Sequence, residues 1–203
     1  MKQYWLFILM ILAMLAAGCQ EDLSSGASDE LPYNLIHSEF SYTPFEIPGQ
    51  WEVVSVSSDV EHQYQDWEEP ENHQYAEVPF RYTITFGRKA DENSVTESEL
   101  EVFNEQQELR GKTTRQLYYH TYYEHFGVLH ISRNGFVRMI SNLDDAEEWE
   151  LSGEKAVVLR DGNEWVMNVY ENGVYYDLLV LGEAGLATED EGRELLEGMF
   201  TAK

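Results

Sequence analysis

Residues 80–86, Phe-Arg-Tyr-Thr-Ile-Thr-Phe, alternate with a period of two. Phe80, Tyr82, Ile84 and Phe86 fall on one side and Arg81, Thr83 and Thr85 on the other, the pattern of a half-buried strand. Residues 51–57 and 98–103 read as further strands. Three dipeptides punctuate the second half of the chain. Asn134-Gly135 separates 126–132 from 136–141, Asp161-Gly162 separates 155–160 from 163–170, and Asn172-Gly173 separates 163–170 from 174–181. Such pairs tolerate the positive φ of tight hairpin turns. Three hairpins with no helix between them give an antiparallel up-and-down meander. They exclude a parallel α/β fold, whose strands need long crossovers.

The Asn172-Gly173 turn also fixes faces, because a one-residue slip would invert every side chain. Trp165, Met167, Val169, Tyr176, Leu178 and Val180 share a core face. Val166, Asn168, Tyr170, Tyr175, Asp177 and Leu179 share the other, which is either solvent-facing or, in a closed barrel, the lining of a small cavity. The same logic at Asn134-Gly135 pairs His130 with Met139 and makes His130 an interior imidazole. The period changes after residue 187. Thr188 followed by Glu191 is a capping box, and Leu195, Leu196, Met199 and Phe200 recur at helical spacing, which predicts a helix over 188–201. Gly192 and Gly198 weaken that helix on its own, so it depends on docking against the sheet.

Two segments stand outside the strand pattern. Residues 5–17 form an uncharged apolar run of 13 behind Lys2, too short to span a bilayer at roughly 20 residues and suited to a signal-peptide core. Ala16-Ala17-Gly18-Cys19 follows, with the only cysteine of the chain. Residues 58–79 are acidic and irregular and carry Trp67 and Tyr75, so they read either as a binding lid or as a mobile loop.

The small residues before Cys19 resemble the lipobox of bacterial lipoproteins. That resemblance implies a signal peptide over 1–18, cleavage before Cys19, and acyl chains on Cys19 that hold the protein to a membrane of the cell envelope. Gln20, with no Asp beside the cysteine, implies outer-membrane sorting in lipoproteins of the enteric type. Residues 19–43 then read as a lipidated cysteine and flexible acidic tether, and 44–203 as a single domain. With its one cysteine acylated the chain forms no disulfide and has no cysteine nucleophile.

A Gly-x-Trp at Gly49-Gln50-Trp51, the long segment after the first strand, the run of hairpins and the terminal helix together resemble the lipocalins. The resemblance implies an all-β domain forming a lipocalin-like barrel, closed at one end by Trp51 near Gly49. It also implies a lumen for a small apolar or aromatic ligand, for which the segment 58–79 and the strand faces offer Trp67, Tyr75, His130, Tyr170 and Tyr175 as candidate contacts. The alternative fold is an open β-sandwich. The alternative function is an accessory lipoprotein with a filled core, docking on a membrane-protein partner through a tyrosine-rich surface.

Charge narrows the partners. With 38 acidic and 13 basic residues the net charge is −25, which opposes binding to nucleic acid or lying flat on anionic lipid. Residues 117–130 hold four tyrosines and His120, Glu124, His125 and His130. His120, Glu124 and His125 offer nitrogen and oxygen ligands for a zinc-like ion if a turn falls near 121–124. Otherwise the stretch is an aromatic strand pair. No cofactor is expected. The chain has no Gly-x-Ser-x-Gly, phosphate loop, dinucleotide fingerprint or His-Glu-x-x-His, so it is not read as an enzyme.

Overall fold

In a computed structural model of the chain, the residues described are Leu35, Ile36, Phe40, 48–64, 75–151 and 153–200. Cys19, residues 1–18 expected to be a signal peptide, most of the segment 19–43 expected to be a tether, and Trp67 lie outside them. The strands are β1 (Glu52–Tyr64), β2 (Tyr75–Lys89), β3 (Thr114–Tyr119), β4 (Tyr122–Ser132), β5 (Glu147–Leu151), β6 (Glu154–Asp161), β7 (Glu164–Glu171) and β8 (Val174–Val180). Helix α1 (Glu97–Leu109) sits between β2 and β3, and α2 (Glu189–Phe200) ends the described chain.

All eight strands belong to one antiparallel sheet in the order β3-β1-β2-β4-β8-β7-β6-β5. Edge strands β3 and β5 do not pair with each other, so the sheet is open and not closed into a barrel. The meander holds from β5 to β8. In the other half β3 lies outside β1, and β4 joins β2 to β8. Only His120 and Thr121 link β3 to β4, although β1 and β2 lie between them. From Tyr119 to Tyr122 a stretched chain covers about 11 Å, whereas three flat strand spacings need about 14 Å. The sheet therefore curls at this end. The link is held by His120 N–H donating to Val54 C=O at 2.8 Å and Ala90 N–H donating to Thr121 C=O at 2.7 Å.

The core lies on one face of the sheet. Tyr82, Ile84 and Phe86 meet Leu129, Ile131, Tyr176 and Leu178, all buried, and Trp165, Met167 and Val169 continue the face as their spacing predicted. Trp51 is 2 % exposed and covers one end of this face, its ring 5.5 Å from Phe86 and 6.0 Å from Phe126. Gly127 makes that seat: a Cβ there would stand 2.6 Å from Leu179 O and 3.5 Å from the Trp51 ring. Gly49 lies in the exposed turn before it, where Trp51 N–H donates to Pro48 C=O at 2.8 Å.

α2 forms where the capping box predicts. Thr188 Oγ1 accepts Glu191 N–H at 3.2 Å, and Thr188 N–H donates to the Glu191 carboxylate at 2.9 Å. That backbone donation holds Glu191 below the ordinary carboxylate range. The helix buries Leu196 and Met199, lays Arg193 over the Trp149 ring at 4.2 Å and brings Gly192 onto Trp165. Gly192 permits this close packing, because the indole occupies the place of a Cβ.

Three expectations change. Residues 98–103 lie in α1, not in a strand: Thr96 and Glu99 cap one another as Thr188 and Glu191 do, and no core face is offered to this segment. Residues 136–141 form no strand, so His130 does not pair with Met139; its neighbours are Thr83 and Asp177. Residues 58–79 are not one irregular loop, because β1 continues to Tyr64 and β2 begins at Tyr75.

Candidate functional site

The face opposite the core carries a row of polar residues in register across the sheet. Ser57 pairs with Thr83, Thr83 with His130, His130 with Asp177, and Asp177 with Asn168. Residues 136–140 cross this row as a strip with alternating side chains. Phe136 packs edge-on to Tyr175 at 5.0 Å, Arg138 binds Asp177 through both its backbone N–H and its guanidinium, and Ile140 N–H donates to Asn168 Oδ1 at 3.2 Å. Val137 and Met139, between them, face solvent. The strip explains why Asn168 and Asp177 are buried on the face expected to be either solvated or a cavity lining.

Electrostatics mark this as a latch. Burial pushes the Asp177 carboxyl up, against the pull of the Arg138 N–H and charge. His130 shares a 2.9 Å hydrogen bond with Thr83 Oγ1, and burial, then the charges of Arg138 and Arg81, lower it to about 4. Arg81 is in turn held by Asp59, with Nε 2.8 Å from Oδ2, and Asp59 Oδ1 accepts from Thr114 at 2.7 Å. His130 is thus neutral near pH 7, and the carboxylates of Asp177 and Asp59 are committed to Arg138 and Arg81.

Of the residues singled out for ligand binding, Tyr170 and Tyr175 pack with ring centroids 4.6 Å apart and planes tilted by 40° on this same outer face, Tyr170 being 55 % exposed. His130 shares the face, separated from the core side occupied by Leu129 and Ile131. Tyr75 opens β2 opposite Tyr64. The suggested metal ligands are not assembled: Glu124 pairs with Arg88 at 3.0 Å, His120 Nδ1 lies 2.7 Å from Thr121 O, and His125 packs on Tyr122 with its Nε2 buried and unpartnered. Among the described residues no group of three His, Cys, Asp or Glu is arranged to hold a metal ion. Among the same residues no helix is long and apolar enough to cross a membrane.

No family model, curated protein or solved structure matches the chain. Open clefts of about 820 and 880 Å³ lie by Gly49, Gln50 and α2 and by the β6–β7 turn, outside the apolar face of the sheet. The feature that strand-period reasoning missed is α1. Its signal was present as Thr96-x-x-Glu99, the same capping pattern that located α2.

Proposed function

We propose that the chain is a lipid-anchored, lipocalin-like lipoprotein of the bacterial envelope that serves as a docking domain: it is held to the membrane through Cys19 and binds a membrane-protein partner through its outer surface. The observation that carries this reading is the filled apolar face. Trp51, Tyr82, Phe86, Trp165 and Tyr176 occupy it and are each at most 2 % exposed. A carrier needs room there, since ligand sites have volumes of roughly 300 Å³ or more. Apolar groups are instead turned outward at Val137, Met139 and Tyr170. The curled sheet, Trp51 at one end and the terminal helix support the lipocalin-like layout.

Native mass spectrometry of the lipidated protein, released from its own membrane, tests the reading. A bound protein subunit is the expected result. A retained small apolar molecule in the absence of any subunit overturns it. Cys19→Ser is expected to lose the acyl mass and move the protein to the soluble fraction.

A further inference from the structure

The open sheet has two edges, and the fold treats them differently. At β3 a side chain of α1 closes the edge. Asn104 Nδ2 donates to Gln116 C=O at 2.8 Å and Gln116 N–H donates to Asn104 Oδ1 at 2.7 Å, so one carboxamide stands where a neighbouring strand would. At β5 no described residue does this. Leu151 and Glu154 pair across a two-residue connection. The hydrogen-bonded pairs of this ladder are therefore Leu151 with Glu154, Trp149 with Ala156 and Glu147 with Val158. The N–H and C=O groups of Glu148 and Glu150, which lie between those pairs, point away from β6. Among the described residues nothing bonds to these groups. A free edge of this kind is a template for another strand.

The side chains of this edge select what can add to it. Trp149 and Leu151 turn inward and are buried, while Glu148 and Glu150 are exposed on the opposite face. Asp144 and Asp145, also exposed, stand just before the strand. None of Asp144, Asp145, Glu148 and Glu150 has an ion-pair partner among the described residues, although Lys155 faces Glu150 across the ladder. The negative charge continues into a cleft of about 390 Å³ at the start of the strand, lined in part by Asp144, Asp145, Glu147 and Glu189. The cation of that lining, Arg160, is held by the Gly162 and Ala187 carbonyl oxygens.

We propose that the β5 edge is a strand-addition site for an extended basic segment of a partner protein, whose backbone pairs with Glu148 and Glu150 and whose Lys or Arg residues stand opposite their carboxylates. An added antiparallel strand makes two backbone hydrogen bonds at each of these residues. Residues directly opposite share a face, so two cations separated by one residue meet Glu148 and Glu150, where opposite charges favour pairing. The same geometry rejects other occupants. A second copy pairing antiparallel about Trp149 puts Glu148 of one copy opposite Glu150 of the other, and like charges directly opposite are destabilising. Residues 20–32 of the chain itself are acidic and contain no Lys or Arg. This inference rests on the docking reading above and names the edge and the chemistry through which the partner is taken.

The test uses the full chain in detergent and a labelled peptide of about ten residues, within the usual length of a strand, in which Lys and Val alternate. A scrambled isomer that breaks the alternation is the control for general attraction to an acidic protein. The expected result is saturable binding with slowed amide exchange at Glu148 and Glu150. Glu148→Lys with Glu150→Lys should weaken it about tenfold or more, because both cross-strand attractions become repulsions. Glu150→Gln and Glu150→Pro separate charge from backbone. Both lose the carboxylate, but only proline also removes the outward N–H, at an edge position where proline is tolerated, and it should weaken binding at least about threefold more than glutamine does. Circular dichroism checks that each variant folds, and the lysine pair carries the test if proline does not. Equal binding by wild type and the double lysine variant overturns the proposal, as does equal binding of the scrambled isomer or binding that leaves exchange at Glu148 and Glu150 unchanged. Sedimentation that shows a dimer dissolved by Glu150→Pro also overturns it, in favour of a second copy. Failure of the docking reading registers separately: if native mass spectrometry shows a partner that stays bound to the double lysine variant, only the assignment to the β5 edge falls.

Discussion

Two glycines in α2 make a matched pair. Gly192 and Gly198 both lie inside the helix. Replacing a helical glycine by alanine at an open position stabilises by about 1 kcal/mol, through restricted backbone freedom in the unfolded chain and better helix propensity. A Cβ at Gly198 meets nothing within 4 Å. A Cβ at Gly192 would stand 2.8 Å from Trp165 Cζ2 and 2.9 Å from Cε2 and Cη2. The indole is 2 % exposed, lies 5.9 Å from the Trp149 ring and has the Arg160 guanidinium over it at 5.1 Å, so it has nowhere to withdraw. Overpacking of this kind costs about 1–3 kcal/mol. Gly198→Ala should therefore raise stability by about 1 kcal/mol, while Gly192→Ala should lower it by up to about 2 kcal/mol. The propensity gain is common to both variants, so their difference isolates the packing of α2 on Trp165. Urea unfolding followed by circular dichroism measures both midpoints. If the two variants shift stability in the same direction by equal amounts, the claim that α2 is docked through Trp165 fails.

Other consequences follow from the latch and the sheet edge. Arg138→Met leaves the Asp177 carboxylate buried without its cation, which should cost about 3 kcal/mol at neutral pH. The carboxyl is already raised by burial, so protonation should relieve the deficit, and the urea midpoint of the variant should approach that of wild type as pH falls from 7 to 5. A deficit independent of pH would refute the ion-pair account. His130 acts with the opposite sign. Its folded value of about 4 lies below the ordinary 6.5, so between these values the unfolded chain binds a proton that the folded chain refuses. Its contribution is complete above pH 6.5 and is lost as pH falls toward 4, and His130→Gln should flatten the fall in urea midpoint over that window; an unchanged slope sinks the assignment. Asn104→Ala removes both hydrogen bonds to the free edge of β3 and should cost about 1–2 kcal/mol, with faster amide exchange at Gln116 as the local readout.

What was legible in the sequence was local. The Asn172-Gly173 turn has φ of 52° and 83°, and the faces it fixed on β7 and β8 are those of the folded sheet. The box at Thr188 and Glu191 located α2 because both partners lie within one turn of helix. The same box at Thr96 and Glu99 was equally readable, but the alternation in 98–103 competed with it, and only the absence of a pairing strand decides between the two. Asn134-Gly135 misled for a related reason. Gly135 does take a positive φ, of 119°, yet a turn dipeptide specifies a change of direction and not which strand the chain meets next.

The sequence by itself determined the strands β6 to β8 as a meander, the core face of β7 and β8, the terminal helix and the acidic surface, because each depends on residues a few positions apart. Tertiary structure decided the rest. Strand order, the open edges and the crossing of β1 and β2 by a two-residue link depend on how the sheet curls. The burial of Asp177 depends on Arg138, which lies 39 positions away in the chain. That Asn104 takes the free edge of β3 was decided by tertiary structure too, since periodicity gives a helix its faces and only its packing says which one meets the sheet.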